Sequence, residues 1–383
     1  MPINSRDDLA SAPAAGPDPR GDAPARRRLA MGGAALGGFA AVLGAVALLA
    51  WFLAGTSGSP PGFEEADGRT LVPAAADDPA RIAALAVEGQ GNATTLRRAD
   101  GGWVLAEGDG YPVDSRRVES VLAALGALRA AYVSEDGSPS AGEYGFGALD
   151  DPTGTAARIT LRGADDTVLG HLTLGNVVTV PGGANLSKLA LKRDDDSRIW
   201  LAEGDLQVSA SPLEWVDRGI FHASRNRVVE VAITPPDGER LVVRRATGSG
   251  ELRVAEGLPS GAAIEGPWVL EELASVLEHL EFAAVRSAGN LGREGDSWQA
   301  RVATADGVVI AATLFPGKDR SWAIFEARPA GPGEAVRDAA RDFNARHRAW
   351  AYALTDYAAG RFMTRPEDLI NSGDRSSARA RSP

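Results

Sequence analysis

The sequence predicts an α+β protein, with an N-terminal single transmembrane helix followed by two related units of antiparallel sheet plus helix. Three observations lead to this fold class. Residues 29–54 form a long apolar stretch without a charged side chain. A strand–turn–strand–helix pattern occurs twice, about 150 residues apart. Short alternating apolar runs joined by Gly and Asp turns follow each copy, which is typical of antiparallel hairpins.

The apolar stretch at residues 29–54 is long enough to cross a membrane. A helix of 26 residues extends about 39 Å, whereas the hydrocarbon core of a bilayer is about 30 Å thick. Three arginines at 26–28 precede the stretch, and Glu64 and Glu65 are the first charged residues after it. The positive-inside rule then places the N-terminus in the cytoplasm and the C-terminal domain outside it. We therefore expect a single-pass protein of the cell inner (cytoplasmic) membrane that contacts the lipid bilayer through residues 29–54.

Two alternatives to an uncleaved anchor remain open at this point. A cleaved signal peptide normally has an apolar region of about 7–15 residues, much shorter than this one, and the arginines at 26–28 fit a twin-arginine signal poorly. A buried helix of a soluble core is disfavoured because the stretch is Gly-rich and free of charge over its whole length. The uncleaved anchor is the favoured interpretation.

Composition divides the rest of the chain. Residues 1–28 are rich in Pro, Ala, Gly and Asp, which predicts a disordered cytoplasmic tail. Residues 55–80 are predicted to be a linker, and residues 371–383 a second disordered tail. Between them we expect a first α+β unit at residues 81–222 and a second α+β unit, with a C-terminal helix, at residues 223–370.

The two units are related by an internal duplication. Residues 96–108 have the pattern of a strand, a turn and a second strand, and residues 243–257 repeat it. Each copy precedes a helix with one apolar face, capped by Asp114 or Ser115 in the first unit and opened by Pro267 in the second. Four of the five apolar positions in the first helix recur 152 residues later. They are Val118, Val121, Leu125 and Leu128, which correspond to Leu270, Leu273, Leu277 and Leu280; the fifth, Leu122, corresponds to Ala274.

Further strands follow each helix. In the first unit, hairpins are predicted around the turns at residues 164–166 and 193–197. In the second unit, the equivalent strands are predicted at residues 302–315 and 321–327. A last helix precedes a short strand at residues 352–354. Its inward side is predicted to carry Val336, Ala339, Ala340, Phe343 and Trp350.

Composition also excludes several classes of function. The chain has 0 Cys, which excludes disulfides, zinc–thiolate sites and cysteine nucleophiles. The formal net charge is −11, and because both termini are net positive, the acidic excess lies in the body of the chain. Such a body repels phosphate backbones, so we expect no nucleic-acid binding. The chain has only 4 His, so few side chains are available for imidazole catalysis or metal binding. They are His171, His222, His279 and His347.

The candidate chemical motifs are better explained by structure. The aspartates at 194–196 offer oxygens to a hard cation, but the segment lacks the spacing of a calcium loop, which favours a solvated hairpin turn. The Gly-rich segments at residues 181–185 and 317–319 lack the spacing of a phosphate-binding loop, and no serine-hydrolase or metalloprotease motif occurs. We therefore expect no catalytic, cofactor-binding or metal-binding residues.

Three glutamates and two histidines are also candidates for chemical roles, and a structural role explains each of them better. Glu107, Glu203 and Glu256 each follow a strand, and nothing in the sequence places them together as general acid–base catalysis would require. His222 is interpreted as a satisfied core residue and His279 as a surface or edge residue.

The tryptophans of the outer domain are interpreted mainly as core residues, since each lies within an apolar alternation. Of these, Trp215 and Trp322 are the better candidates for a ligand surface. The seven are Trp103, Trp200, Trp215, Trp268, Trp298, Trp322 and Trp350.

Several short motifs together resemble a known family. They are Gly102-Trp103, Tyr111-Pro112-Val113-Asp114, Glu143-Tyr144-Gly145-Phe146, the segment from Pro212 to Arg218, Trp350-Ala351-Tyr352 and Pro366-Glu367-Asp368-Leu369. Over roughly residues 80–370 the chain resembles the domain of unknown function 4340 family of bacterial membrane-anchored envelope proteins. Phe146 stands where that family usually has leucine, and Glu214 where it usually has aspartate. The resemblance implies an N-terminal span, an outer α+β region and an association with gliding-type ABC transporters, and it implies no catalytic residue.

These observations predict a membrane-anchored extracytoplasmic accessory or scaffold protein of an envelope complex, with an ABC transporter as the leading candidate for that complex and no catalysis of its own. Within the span, Gly33 and Gly37 fit the close-packing motif of membrane helices, which predicts contact with another membrane protein. The family resemblance implies that ABC transporter subunits are this partner. The alternative is an extracytoplasmic ligand-binding module for an envelope glycan or peptide, with a groove at the junction of the two units. An uncharacterised hydrolase is less favoured.

Overall fold

The computed structural model describes residues 59–135, 141–180, 187–292 and 295–370. The predicted tails at residues 1–28 and 371–383 and the predicted span at residues 29–54 lie outside these ranges. Within the described ranges, no helix has both the length and the apolar character needed to cross a membrane. The described residues belong to one compact unit that contains both predicted repeats.

The fold is mostly β-sheet, with few helices. Among the described residues, the first half contains ten strands and two α-helices, which are β1 (Phe63–Glu65), α1 (Pro73–Asp77), β2 (Ala84–Gly89), β3 (Asn92–Ala99), β4 (Gly102–Leu105), β5 (Tyr111–Pro112), α2 (Ser115–Ala127), β6 (Arg129–Ser134), β7 (Ala157–Arg162), β8 (Val168–Thr179), β9 (Ser187–Arg193) and β10 (Asp196–Glu203). The described part of the second half contains nine strands and three α-helices, which are β11 (Gly219–Phe221), β12 (Val228–Thr234), β13 (Leu241–Arg245), β14 (Leu252–Glu256), α3 (Pro267–Ala274), β15 (Leu280–Ser287), β16 (Trp298–Thr304), β17 (Val308–Phe315), β18 (Trp322–Pro329), α4 (Glu334–His347), β19 (Trp350–Leu354) and α5 (Asp356–Phe362).

The strands form two antiparallel sheets with the same topology. The first sheet has the order β1-β6-β10-β9-β8-β7-β2-β3-β4-β5, and the second has the order β11-β15-β19-β18-β17-β16-β12-β13-β14. Position by position, each strand of the second sheet occupies the place of its counterpart in the first, and β5 is the one addition. The two related antiparallel sheets predicted from the sequence are therefore confirmed. The connection from β18 to β19 contains α4, whereas the connection from β9 to β10 is a tight turn.

The helices α2 and α3 bury the apolar faces that the sequence predicts. The side chain of Asp114 accepts a hydrogen bond from the backbone N–H of Arg116, which caps the N-terminus of α2. Pro267 occupies the first turn of α3, where its missing N–H costs nothing. The eight positions of the four recurring pairs, together with Leu122 and Ala274, are all buried: Val118, Val121, Leu122, Leu125, Leu128, Leu270, Leu273, Ala274, Leu277 and Leu280. The second helix is shorter than its apolar pattern predicts, because α3 ends at Ala274 and Leu280 lies in β15.

Part of the predicted linker at residues 55–80 belongs to the folded domain, so this prediction is wrong over β1 and α1. Phe63 of β1 is buried and pairs with Ser134 of β6. Leu71, Val72 and Ala75 are buried in the core beneath the first sheet. Apolar burial of this kind fixes a segment to the domain, whereas a linker exposes its side chains.

Two further boundaries differ from the prediction. The strand β11 ends at Phe221 and pairs with β15 of the second sheet, so the second half begins before residue 223. The predicted last helix ends before Trp350, which lies in β19 instead. A fifth helix, α5, follows β19; its buried residues are two alanines and Phe362, a pattern too short for periodicity to reveal.

Aromatic side chains fill the junction between the two halves. The ring of Tyr111, from the first sheet, lies edge-on to Phe282 and Trp350, with ring centroids 5.6 Å and 5.0 Å away. Close by, the carboxylate of Asp109 accepts a 2.9 Å hydrogen bond from the backbone N–H of Ser287. These contacts join β15 and β19 of the second sheet to the segment around β5.

Candidate functional site

The most distinctive surface feature is a cleft of about 390 Å³ between α3 and α5, called here the aromatic cleft. Its volume lies within the range of small-molecule and peptide-side-chain pockets. The lining residues are Glu265, Trp268, Val269, Glu272, Leu273, Asp356, Tyr357, Gly360, Arg361, Thr364, Asp368 and Leu369.

Two large rings stand exposed in the aromatic cleft. Trp268 is 56% exposed and Tyr357 is 55% exposed. Each is the second residue of its helix, on the side away from the buried residues. A Cβ atom on Gly266 would lie 2.8 Å from the indole of Trp268, so the absence of a side chain at Gly266 leaves room for that ring against the backbone. The hydroxyl of Tyr357 is 3.1 Å from the hydroxyl of Ser275, which fixes the second ring.

The charge of the aromatic cleft is strongly acidic. Four carboxylates line it against one guanidinium, that of Arg361. Arg361 is ion-paired with Glu272, and its guanidinium carbon lies 5.1 Å from the ring centroid of Tyr357. The cleft therefore already contains one cation held between a carboxylate and an aromatic face.

The rim of the cleft is rigidly connected to the C-terminal end of the described chain. The backbone N–H of Glu265 donates a 2.9 Å hydrogen bond to the carbonyl of Leu369, and Ile264 forms a β-bridge with Ile370. A carboxylate oxygen of Asp368 accepts a 2.8 Å hydrogen bond from the backbone N–H of Arg365. These bonds hold the carboxylates at 265 and 368 on the same rim.

A second cleft, of about 570 Å³, lies between β11 and α4 and brings two histidines together. The rings of His222 and His279 have centroids 6.1 Å apart. Nδ1 of His222 is 2.5 Å from the carbonyl oxygen of Glu278, whose carboxylate forms a bidentate ion pair with Arg225. That guanidinium lowers the pKa of the Glu278 carboxyl. Among the residues that the structure describes, no group of three or more His, Cys, Asp or Glu side chains is arranged to hold a metal ion.

The sequence prediction for these two histidines is correct only in part. His279 is exposed, as expected of a surface residue. His222 is also exposed, so its assignment to the core is wrong; the carbonyl of Glu278 satisfies its ring from the loop side.

A buried polar chain links the junction to α4. Nδ1 of His347 is 2.8 Å from the hydroxyl of Tyr352, whose ring lies edge-on to that of Tyr111 with the centroids 6.2 Å apart. Burial lowers the pKa of His347 to about 4, with the charge of Arg346 acting in the same direction and that of Asp217 opposing it. Burial also raises the pKa values of both tyrosines. At neutral pH the chain therefore carries no charge.

The three aspartates at 194–196 do not form a common site. A carboxylate oxygen of Asp194 lies 2.7 Å from Nδ1 of His171, and Asp195 forms a bidentate ion pair with Arg193. Asp196 pairs bidentately with Arg198, which lowers the pKa of its carboxyl to about 2. Each carboxylate thus has its own partner around the β9–β10 turn, where the sequence predicts a hairpin.

The three glutamates of the repeated strand endings are likewise engaged with separate partners. Glu107 accepts a 2.8 Å hydrogen bond from the backbone N–H of Thr95. Glu203 lies 3.2 Å from Nζ of Lys188, and Glu256 lies 3.2 Å from Nη1 of Arg240. The Gly-rich segment at residues 181–185 lies outside the described residues, and residues 317–319 fall between β17 and β18.

The tryptophan predictions have a mixed outcome. Trp103, Trp200 and Trp215 are buried, so the choice of Trp215 as a ligand-surface candidate is wrong; its indole N–H donates to the carbonyl of Ser209. Trp322 is half-buried, and the guanidinium of Arg286 stacks on its ring at 3.6 Å. Among the tryptophans that the structure describes, the exposed one is Trp268, which sequence reasoning missed. The sequence feature that could have identified Trp268 as exposed is its position directly after Pro267, outside the apolar stripe of α3.

Comparison with known proteins identifies the family. The model of a domain of unknown function (DUF4340) matches residues 103–297, slightly more than half of the chain. Comparison with curated proteins and comparison with solved structures each find no match. The matched segment begins in β4 and ends just before β16, and so includes parts of both sheets. The chain therefore belongs to the family defined by this domain of unknown function, as the sequence motifs predict.

Proposed function

We propose that this protein is a membrane-anchored, extracytoplasmic accessory or scaffold subunit of an envelope complex, with an ABC transporter as the leading candidate for that complex. The observation that carries the proposal is the order of parts along the chain. A charge-free stretch of 26 residues follows three arginines and precedes a folded two-sheet domain. The proposal assigns no catalysis to that domain.

The chemistry of the domain supports a binding role over a catalytic one. The carboxylates that the sequence singles out are occupied by arginine, lysine or backbone partners in separate places. Catalysis by paired carboxylates needs two groups close together with different pKa values. An accessory subunit needs instead a rigid domain with accessible surfaces, and the paired sheets and the packed junction provide that rigidity.

The test is purification of the tagged full-length protein in mild detergent, followed by identification of stoichiometric partners by mass spectrometry. A second protein carries the domain from residue 57 onward on an unrelated membrane anchor. Recovery of transporter permease or ATPase subunits with both proteins supports contact through the outer domain. Recovery with the native anchor alone supports contact through the span. Recovery of no stoichiometric membrane partner with either protein refutes the accessory role.

The predicted span provides a matched pair of variants for the same experiment. Gly33→Leu with Gly37→Leu fills the close-packing motif and is expected to reduce partner recovery. Ala35→Leu adds bulk about half a helical turn away and is expected to leave recovery unchanged. Equal recovery with all three proteins refutes packing of the partner through this motif.

One structural observation favours a second function, that of a ligand-binding module for an envelope glycan or peptide. The aromatic cleft exposes Trp268 and Tyr357, and exposed rings of this kind commonly stack on ligands. The cleft lies within the second half of the domain, whereas the sequence places such a groove at the junction of the two halves. Binding of purified cell-wall fragments, lost in Trp268→Ser and retained in Val177→Ser, would support this function.

A further inference from the structure

We infer that the aromatic cleft is a docking site for an arginine- or lysine-bearing peptide segment of a partner protein. The inference rests on the proposed function, because it specifies the chemistry of the partner that an accessory subunit meets. Three properties of the cleft lead to it: the exposure of its rings, the sign of its charge and the cation that it already holds.

Exposure is the first argument. The described residues contain four exposed large hydrophobic side chains, and two of them, Trp268 and Tyr357, lie in this one cleft. Single exposed apolar residues are ordinary, whereas two large rings in one concave surface are typical of a recognition site. Tryptophan and tyrosine are also enriched among the residues that dominate binding energy at protein interfaces.

Charge selects the kind of occupant. Four carboxylates surround the rings, and the one guanidinium in the lining, that of Arg361, is paired with Glu272. The lining therefore has a net negative charge, so an anionic ligand such as a phosphate is repelled and a cationic group is attracted. The acidic body of the chain, whose net charge is −11 over the full sequence, steers a basic partner toward the same surface.

Arg361 shows how the occupant would bind. Its guanidinium lies over the ring of Tyr357 and pairs with a carboxylate from α3, which combines a cation–π contact with an ion pair. Trp268 offers a larger ring in the same lining as the carboxylates of Asp356 and Asp368. A guanidinium or ammonium group from a partner would find the same two interactions there. The open cleft admits an extended segment as well as the tip of one side chain.

The test uses full-length protein in a non-ionic detergent and a fluorescein-labelled peptide of three Gly-Ser-Arg repeats. Fluorescence anisotropy measures the dissociation constant at low and at moderate salt. The control peptide has citrulline in place of arginine, which keeps the shape and removes the charge. We expect saturable binding of the arginine peptide, at least fivefold weaker binding of the citrulline peptide, and weaker binding at higher salt.

Two pairs of variants separate the cleft from general acidic attraction. Trp268→Ser is expected to weaken binding roughly tenfold, whereas Val177→Ser, at an apolar residue 68% exposed on β8, leaves it unchanged. Asp356→Asn is expected to weaken binding by a factor of about three to five, whereas Glu119→Gln on the exposed face of α2 leaves it unchanged. Urea midpoints for all four variants verify that each one is folded.

Several outcomes would overturn the inference. Equal losses in the cleft variants and their controls would show nonspecific attraction to the acidic surface. Binding of a cell-wall saccharide that requires Trp268, with none of the arginine peptide, would make the occupant a glycan. Peptide binding that appears only after the arginines at 375, 379 and 381 are replaced by serine would make the chain's own C-terminal segment the occupant.

The same variants distinguish this inference from the proposed function. If Trp268→Ser co-purifies with the same stoichiometric membrane partner as the wild type and no peptide binds, docking at the cleft is refuted and the accessory role stands. If the peptide binds at the cleft but no membrane partner is recovered, the accessory role is refuted.

Discussion

Lowering the pH from 7 to 5 is expected to destabilise the folded domain, because His347 is buried in its neutral form. Its side chain lies in the polar chain that joins α4 to the junction of the two halves, with Nδ1 2.8 Å from the hydroxyl of Tyr352. The neutral ring can accept the hydroxyl proton at that nitrogen. A protonated ring carries N–H on both nitrogens and loses this acceptor.

The magnitude follows from the two pKa values. Burial lowers the pKa of His347 to about 4 in the folded state, against 6.5 for an unperturbed histidine. Between these values the unfolded chain binds a proton that the folded chain does not, so stability rises with pH across this window. Its contribution is fully present above pH 6.5 and is lost as the pH falls toward 4. From pH 7 to pH 5 the expected loss in the free energy of unfolding is about 2 kcal/mol.

The assay is urea unfolding of the full-length protein in non-ionic detergent at pH 7, 6 and 5, followed by tryptophan fluorescence. The reference is the double variant His347→Phe with Tyr352→Phe, which removes the titrating ring and the hydroxyl that it would leave without a partner. The double variant is expected to lose about 2 kcal/mol less than the wild type between pH 7 and pH 5. Identical pH dependence in the two proteins would refute the assignment of a neutral, buried His347.

Two further predictions concern packing. Tyr111→Ala is expected to destabilise the domain by about 3 kcal/mol, because it empties the aromatic junction, whereas Tyr357→Ala at an exposed ring should cost less than about 1 kcal/mol; urea midpoints compare the two. Gly126→Ala is expected to destabilise the domain by about 1–3 kcal/mol, although alanine has a higher helix propensity than glycine. The reason is that the new Cβ would lie 2.6 Å from the carbonyl oxygen of Ala75. Gly360→Ala, with open space around its Cβ position, is expected to stabilise α5 by about 0.5–1 kcal/mol; thermal unfolding that ranks the two glycine variants in the opposite order would contradict this.

Periodicity predicted the parts of the fold that are built from local patterns. The apolar stripes of α2 and α3 recur at a fixed offset, and their burial follows from that spacing. The strand β1 was missed because it has three residues, one of them buried, and pairs with Ser134 and its neighbours about 70 residues away. Leu71, Val72 and Ala75 occur in a segment rich in proline and alanine, and their spacing does not match the period of an amphipathic helix. Only the tertiary structure, in which the first sheet needs a cover on that side, identifies them as core.

The aromatic cleft shows why the site was harder to predict than the fold. Apolar alternation assigns a tryptophan to the core by default, and that rule holds for Trp103, Trp200 and Trp215. It fails for Trp268, because the stripe of α3 already fills the buried face and leaves the second residue of the helix on the outside. Trp268 and two of the four carboxylates of the cleft, those of Asp356 and Asp368, come from segments about 90 residues apart, and only the packing of α5 brings them together. A position that is aromatic yet out of phase with its own helix is therefore the sequence signal to search for in relatives of this chain.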